Sequence, residues 1–171
     1  MVAQFKYGDF DAQGNVVKTL TVDNAQLWSP ETPYLYNLVT RLYRNNKLVD
    51  ETTEKVGIRT VSVAQYDGFQ LNGKSRKIKG VCLHHDLGPL GAAVNKAALI
   101  RQIRTMKDMG CDAIRTAHNM PSTWQMEVCD SMGMMVMSES FDMWIYPKCK
   151  NGYALNFKEW ADRDIENLVR N

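Results

Sequence analysis

Three short stretches concentrate the residues able to do chemistry: His84-His85-Asp86, Arg115-Thr116-Ala117-His118-Asn119, and Ser138-Glu139-Ser140-Phe141-Asp142-Met143-Trp144. Each follows a short apolar run. Imidazole, guanidinium, amide and carboxylate groups supply donors and acceptors of every kind, and Trp144 adds a flat apolar ring. That set suits a sugar, whose hydroxyls need donors and acceptors while an aromatic ring covers its apolar face. Glu139 and Asp142 also read as the paired carboxylates of a glycosidase. This reading is rejected, because the two stand three residues apart on one strand end, whereas such pairs flank the scissile bond from opposite sides. Plainer roles stand beside the binding ones. His84 is either a ligand-facing group or a histidine bonded to backbone in the mouth of the fold. Arg115 either faces a ligand or neutralises Glu139 as an ion pair, and the two roles are compatible. His118-Asn119 either binds or shapes the turn before Met120-Pro121.

The elements that must carry these stretches change character near Asp67-Gly68. Before that point the chain reads as short strands, at Gln4–Tyr7, Val16–Val22, Leu35–Tyr43, Lys47–Asp50 and Lys55–Val63. Asn45-Asn46 marks a hairpin turn, and turn signals recur at 11–15 and at Ser29-Pro30-Glu31-Thr32-Pro33. Short antiparallel strands at this spacing indicate an immunoglobulin-like β-sandwich, with about five of its seven strands present. After Asn72-Gly73 the rhythm becomes strand, helix, strand, helix. Strands are expected at Ile78–His84, Ala113–Thr116 and Met134–Met137. Asn95 caps a helix through Met109 with Leu99, Ile103 and Met106 on its inner face. Ser122-x-x-Gln125 is a capping box for a second helix, stopped by Gly133, with Trp124, Val128 and Met132 inside. Asn156-x-x-Glu159 opens a third, with Phe157, Trp160, Asp164 and Leu168 on successive turns. Glu127 reads as solvated surface, Trp28 and Trp124 as core.

Strand-helix units with short connections imply parallel strands and right-handed crossovers. The closed solutions are a doubly wound sheet or a (β/α)8 barrel, and a barrel needs eight units and about 250 residues. Three units in 171 residues leave a sheet edge unpaired, so a truncated barrel is expected. The expected division is 1–66 for the β-sandwich and 67–171 for the first three βα units of a TIM barrel. In such a barrel the working residues collect at the C-terminal strand ends, where all three stretches fall.

Composition narrows the partners. Hydrophobic residues at 44% and charged residues at 23% are those of a soluble globular protein. A net charge of +2, with no Lys/Arg-rich run, leaves no footprint for nucleic acid. No stretch approaches the roughly 18 apolar residues that span a bilayer, so no membrane is expected, and Met1–Lys6 carries no signal-peptide core. Cys82, Cys111, Cys129 and Cys149 contain no C-x-x-C and read as free packing thiols. Cys82 with His84 and His85 falls short of a convergent ligand set, so neither a metal nor another cofactor is expected.

Five motifs, in order, resemble family-2 glycoside hydrolases of the β-galactosidase kind. Leu27-Trp28-Ser29-Pro30-Glu31-Thr32-Pro33-Tyr34-Leu35-Tyr36 resembles the family's W-x-P-x-x-P-x-L-Y segment, and Val56-Gly57-Ile58-Arg59 its x-G-[FI]-R strand. Phe69–Lys74 with Ile78-Lys79-Gly80-Val81 is similar to the lead-in to its barrel. Asp112–Asn119 with Pro121 resembles N-A-I-R-x-S-H-x-P, and Cys129–Gly133 with Val136–Glu139 resembles C-D-x-x-G-x-x-V-x-x-E. The resemblance spans roughly Leu27 to Asn171.

It implies a retaining β-glycosidase working through a glycosyl-enzyme intermediate. The family carries its acid/base after the fourth barrel strand and its nucleophile after the seventh. The chain stops on the helix leading towards the first of these, so no catalytic carboxylate is assigned. The resemblance makes His84, Arg115, His118, Asn119, Glu139, Asp142 and Trp144 substrate-binding residues, and it is compatible with a homo-oligomer. Cys82 and Leu83 depart from the Asn and Arg common in the family, and Asp142-Met143-Trp144 replaces a Glu-x-His magnesium pair of the long bacterial members. β-Glucuronidases and β-mannosidases share the scaffold, so the motifs leave the sugar open. A non-catalytic carbohydrate-binding or interaction module, and an enzyme complete at this length, are the competing readings.

Overall fold

The computed structural model describes Ala12, Gly14 and residues 16–170. The first elements are the antiparallel strands β1 (Tyr36–Arg44) and β2 (Lys47–Val56), joined by Asn45-Asn46, both of which adopt positive φ. Asn tolerates this left-handed conformation better than other non-glycine residues. The register pairs Tyr36 with Val56 and Arg44 with Lys47, and it shifts between Leu42 and Tyr43. Both faces of this hairpin are largely exposed.

Two sequence expectations change here. The alternating run Val16–Val22 forms no strand, because alternation becomes strand only when a neighbour takes up its backbone bonds, and none does among the described residues. The expected strand at Gln4–Tyr7 lies outside the described residues. The run Lys55–Val63 is also broken at Gly57, where the chain passes close over Trp28. A Cβ there would stand 3.1 Å from the indole ring. Beyond the break, β3 (Val61–Ala64) pairs with β4 (Gly68–Leu71), which pairs with β5 (Lys74–Ser75). Val61 therefore belongs to a separate three-stranded antiparallel sheet.

The remaining strands, β6 (Gly80–Leu83), β7 (Ala113–Thr116) and β8 (Met135–Met137), form a parallel sheet in chain order. Helix α1 (Lys96–Asp108) joins the first two, and α2 (Thr123–Met132) the last two. Their ends are locally encoded. Asn95 accepts from the Ala98 N–H and Ser122 from the Gln125 N–H, satisfying donors that helix N-termini leave free. Gly133 closes α2 in the left-handed conformation. Leu99 and Ile103 of α1, Ile114 of β7, Val128 and Cys129 of α2, and Met134 form the core, with Val81, Leu83 and Val136 packed against it. Trp124 is not in it. The ring is 48% exposed, and Gln125 is buried in its place. Burial pushes the Cys129 thiol up to about 12. Helix α3 (Phe157–Arg170) buries Ala161, with Phe157, Trp160, Asp164 and Leu168 half-buried on the same face.

The segment Trp28–Glu31 is the seam between the early residues and the parallel sheet. Trp28 is 2% exposed, its Nε1 donates to the Asp130 carbonyl at 2.8 Å, and the Arg59 guanidinium lies 4.8 Å above its ring. Asn72 Nδ2 donates to the Trp28 carbonyl, while Lys107 Nζ donates to the carbonyls of Pro30 and Gly133. The last carbonyls of a helix lack partners within it, so the indole and the ammonium complete the C-terminus of α2. Arg76 ties Glu31 to Asp112 through bonds of 2.6 and 2.9 Å. The Arg76 guanidinium holds the Glu31 carboxyl down at about 2.

Candidate functional site

The sheet brings the ends of its three strands to one rim. Arg115, the third residue of β7, forms an ion pair through Nε with Glu139 Oε1, two residues beyond β8. The other Glu139 oxygen lies 3.0 Å from His118 Nδ1, and Arg115 Nη2 lies 3.4 Å from the same nitrogen. Arg115 Nη1 reaches Cys82 Sγ of β6 at 3.4 Å. The His84 ring, just after β6, stands edge-on to His118 with centroids 5.3 Å apart. Four of the sequence-derived residues thus form one connected group: His84, Arg115, His118 and Glu139.

Parallel register explains the convergence. Cys82 is opposite Arg115, and Arg115 is opposite Met137, so residues just beyond these positions emerge side by side. Glu139 is 20% exposed at the side chain, and Arg115 38%. Each Glu139 oxygen has a fixed partner, which leaves the carboxylate a bridge between β7 and the loop after β8.

The other three residues are placed differently. Asn119 lines a shallow hollow with His84, Pro121 and the buried Gln125. Asp142 turns to Lys148, whose Nζ lies 3.0 Å from Oδ1 and 2.5 Å from the Asp142 carbonyl. Trp144 is 69% exposed and makes no hydrogen bond or ring contact among the described residues. The loop bearing both is anchored by Phe141, which stacks on Tyr153 at 4.9 Å and meets Phe157 edge-on at 5.2 Å. Tyr153 also donates to Asp164 Oδ2. Burial, with that carboxylate beside it, pushes the Tyr153 phenol up to about 12.

Sequence reasoning placed Thr116 in the second rim stretch without giving it a task, and it missed Lys148. The Thr116 hydroxyl accepts the Glu139 backbone N–H at 3.1 Å. A polar residue closing an apolar strand was the available signal. Nothing local marked Lys148. Among the described residues, no group of three or more His, Cys, Asp or Glu could hold a metal ion, and no helix is long and apolar enough to cross a membrane.

Residues 61–162 match the TIM barrel domain of glycosyl hydrolases family 2, and residues 3–59 match a further domain of that family. The chain belongs to glycosyl hydrolases family 2. It runs from the family's immunoglobulin-like β domain into the start of the TIM barrel. Among family-2 proteins it is 49% identical to a β-galactosidase of Bacteroides ovatus over 95% of this chain and 19% of that protein. It is 40% identical to a putative β-glucuronidase of Formosa agariphila, over 88% of this chain and 14% of that one. Among solved structures, a family-2 member from Bacteroides cellulosilyticus superposes with a TM-score of 0.83 at 43% identity, over 88% of this chain and 19% of the other. A β-glycosidase from Bacteroides vulgatus gives 0.82 at 44%, over 87% and 19%. The chain therefore spans between 14% and 19% of the length of these family-2 relatives.

Proposed function

We propose that the protein to which this chain belongs is a retaining β-glycosidase acting on terminal β-linked sugars, β-galactosides first among them. The observation that carries this reading is the Arg115–His118–Glu139 group at the C-terminal ends of parallel strands, where barrel enzymes do their chemistry. The 49% identity to the Bacteroides ovatus β-galactosidase supports the choice of sugar.

In this reading His84 and Arg115 present donors to sugar hydroxyls, His118 presents an acceptor, and Glu139 sets the positions of Arg115 and His118. Asn119, Asp142 and Trp144 complete the binding surface. Asp142 exchanges its Lys148 bond for a hydroxyl, and Trp144 covers the apolar sugar face. Double displacement needs a nucleophile and an acid/base about 5–5.5 Å apart. Glu139 and Asp142 stand three residues apart on one strand end rather than on opposite sides of a scissile bond, which supports a reading in which both catalytic carboxylates come from outside this chain.

The test is hydrolysis of aryl β-galactoside, β-glucuronide and β-mannoside by the full-length gene product and by the folded 171-residue chain. The full-length protein is expected to turn over the galactoside fastest, and the chain alone none of the three. Turnover by the chain alone would overturn the placement of the carboxylates. No turnover by the full-length protein would overturn the glycosidase reading. Preference for the glucuronide would move the assignment to the activity named for the Formosa agariphila relative.

A further inference from the structure

His118 has two ring nitrogens, and its neighbours assign them different tasks. Nδ1 lies 3.0 Å from a Glu139 carboxylate oxygen and 3.4 Å from an Arg115 guanidinium nitrogen. A carboxylate only accepts and a guanidinium only donates, so a neutral imidazole cannot satisfy both through one nitrogen. The contact to Glu139 is the shorter, and the guanidinium already donates to Glu139 Oε1 and Cys82 Sγ. The network therefore puts the proton on Nδ1. Nε2 makes no hydrogen bond among the described residues, which leaves it the nitrogen available to a ligand.

This assignment depends on Glu139 standing where it does, although Glu139 lies outside the sheet ladder. The β7–β8 pairing ends at Arg115 and Met137. Two residues later, the Glu139 N–H finds the hydroxyl of Thr116 rather than a main-chain carbonyl. Thr116 is the last residue of β7, is 5% exposed, and is held on its other side opposite Leu83 of β6. Its hydroxyl stands in for the acceptor that the ended ladder no longer offers.

We propose that Thr116 is a positioning residue. By accepting the Glu139 N–H it fixes the carboxylate between Arg115 and His118, and so holds His118 in the Nδ1–H form with Nε2 free to accept from a sugar hydroxyl. The sugar rests on the glycosidase reading above; the positioning does not.

The test uses the 171-residue chain labelled with 15N, and reads the His118 tautomer from its ring 15N shifts at alkaline pH, where imidazole is neutral. The wild-type chain is expected to show mainly Nδ1–H. Thr116→Val keeps the shape but removes the acceptor, and should shift the tautomer ratio about five-fold towards Nε2–H, the factor one lost neutral hydrogen bond supplies. Thr116→Ser should restore the wild-type ratio, which a loss of general packing would not allow. Glu139→Gln should shift the ratio as Thr116→Val does. An unchanged ratio in Thr116→Val, with Glu139→Gln shifted, would overturn the proposal, as would an unchanged ratio in Glu139→Gln. If Thr116→Val fails to fold, amide exchange in the wild-type chain decides. A Glu139 amide at least ten-fold slower than an unstructured amide supports the bond to Thr116, and unprotected exchange overturns it. None of these readings requires glycosidase activity, so failure of the function assignment would leave them intact.

Discussion

Replacing Trp28 by Phe and by Ala separates two contributions to the seam between the early residues and the parallel sheet. The side chain is 2% exposed, so truncation to Ala returns nearly all its apolar area to water or leaves a cavity. A buried Trp removes about 200 Å² from solvent, and at about 25 cal/mol per Å² this gives about 5 kcal/mol. Measured Trp-to-Ala costs run to about 3–5 kcal/mol, and the upper half is expected here because Arg59 over the ring adds about 0.5–1 kcal/mol. Phe keeps a ring but loses Nε1, leaving the Asp130 carbonyl at the end of α2 without its donor. That orphaned acceptor sets the cost at about 1–3 kcal/mol. The assay is urea unfolding of the chain followed by far-UV circular dichroism, which does not depend on the removed fluorophore. The expected order is wild type, Trp28→Phe, then Trp28→Ala. A loss below about 1 kcal/mol for Trp28→Ala would refute the burial argument, since a ring at the seam cannot be removed so cheaply. Equal losses for both variants would refute the division, placing the whole effect in the hydrogen bond.

Glu31 should shape the acid limb of stability. Its carboxyl sits at about 2 in the folded chain against an ordinary 4.5, so its contribution is present above about pH 4.5 and is lost as pH falls towards 2. Because its side chain is 64% exposed, the contribution is at most about 1 kcal/mol. Glu31→Gln should lower the melting temperature at pH 7 and match wild type at pH 2, and an equal gap at both values would contradict the Arg76 pairing. The cysteines should divide by access. With iodoacetamide at pH 8, Cys82 and Cys149 should react promptly, and Cys129, which is 1% exposed with its thiol pushed up to about 12, only on unfolding. Labelling of Cys129 at the rate of Cys149, read by peptide mass spectrometry, would sink that assignment.

What could be read from the sequence was what is decided within a few residues. Asn95, Ser122 and Gly133 mark helix ends because capping is a local hydrogen bond or a local φ. The parallel order of β6, β7 and β8 follows from the alternation of strand and helix, and with it the gathering of His84, Arg115, His118 and Glu139 at one rim. The failures needed partners distant in the chain. Val16–Val22 alternates but has no neighbouring strand among the described residues, and the run through Lys55–Val63 gives no sign that Trp28 crosses beneath Gly57. Helical periodicity puts Trp124 and Val128 on one face, yet small rotations decide whether Trp124 or Gln125 turns inward. The bond from Asp142 to Lys148 depends on how an irregular loop folds back, which no period encodes. Thr116 stood in the rim stretch, but its task was harder to read because it begins only where the ladder stops.

The seam is asymmetric in a way that bears on how such a sequence can drift. The indole of Trp28, the amide of Asn72 and the ammonium of Lys107 all end on main-chain oxygens, those of Asp130, Trp28, Pro30 and Gly133. A main-chain oxygen is present whatever the side chain, so position 130 can change its residue without removing the acceptor the indole needs. The donors have no such freedom, because each is one particular side chain reaching one particular oxygen. Among the acceptors Trp28 is itself one of those donors, and Gly133 is a further exception. It is tied to its identity by its left-handed φ and by the Pro30 carbonyl, which would lie 2.5 Å from any Cβ placed there. The joint between the two parts of the chain can therefore keep its geometry while much of the lettering on its receiving side is rewritten.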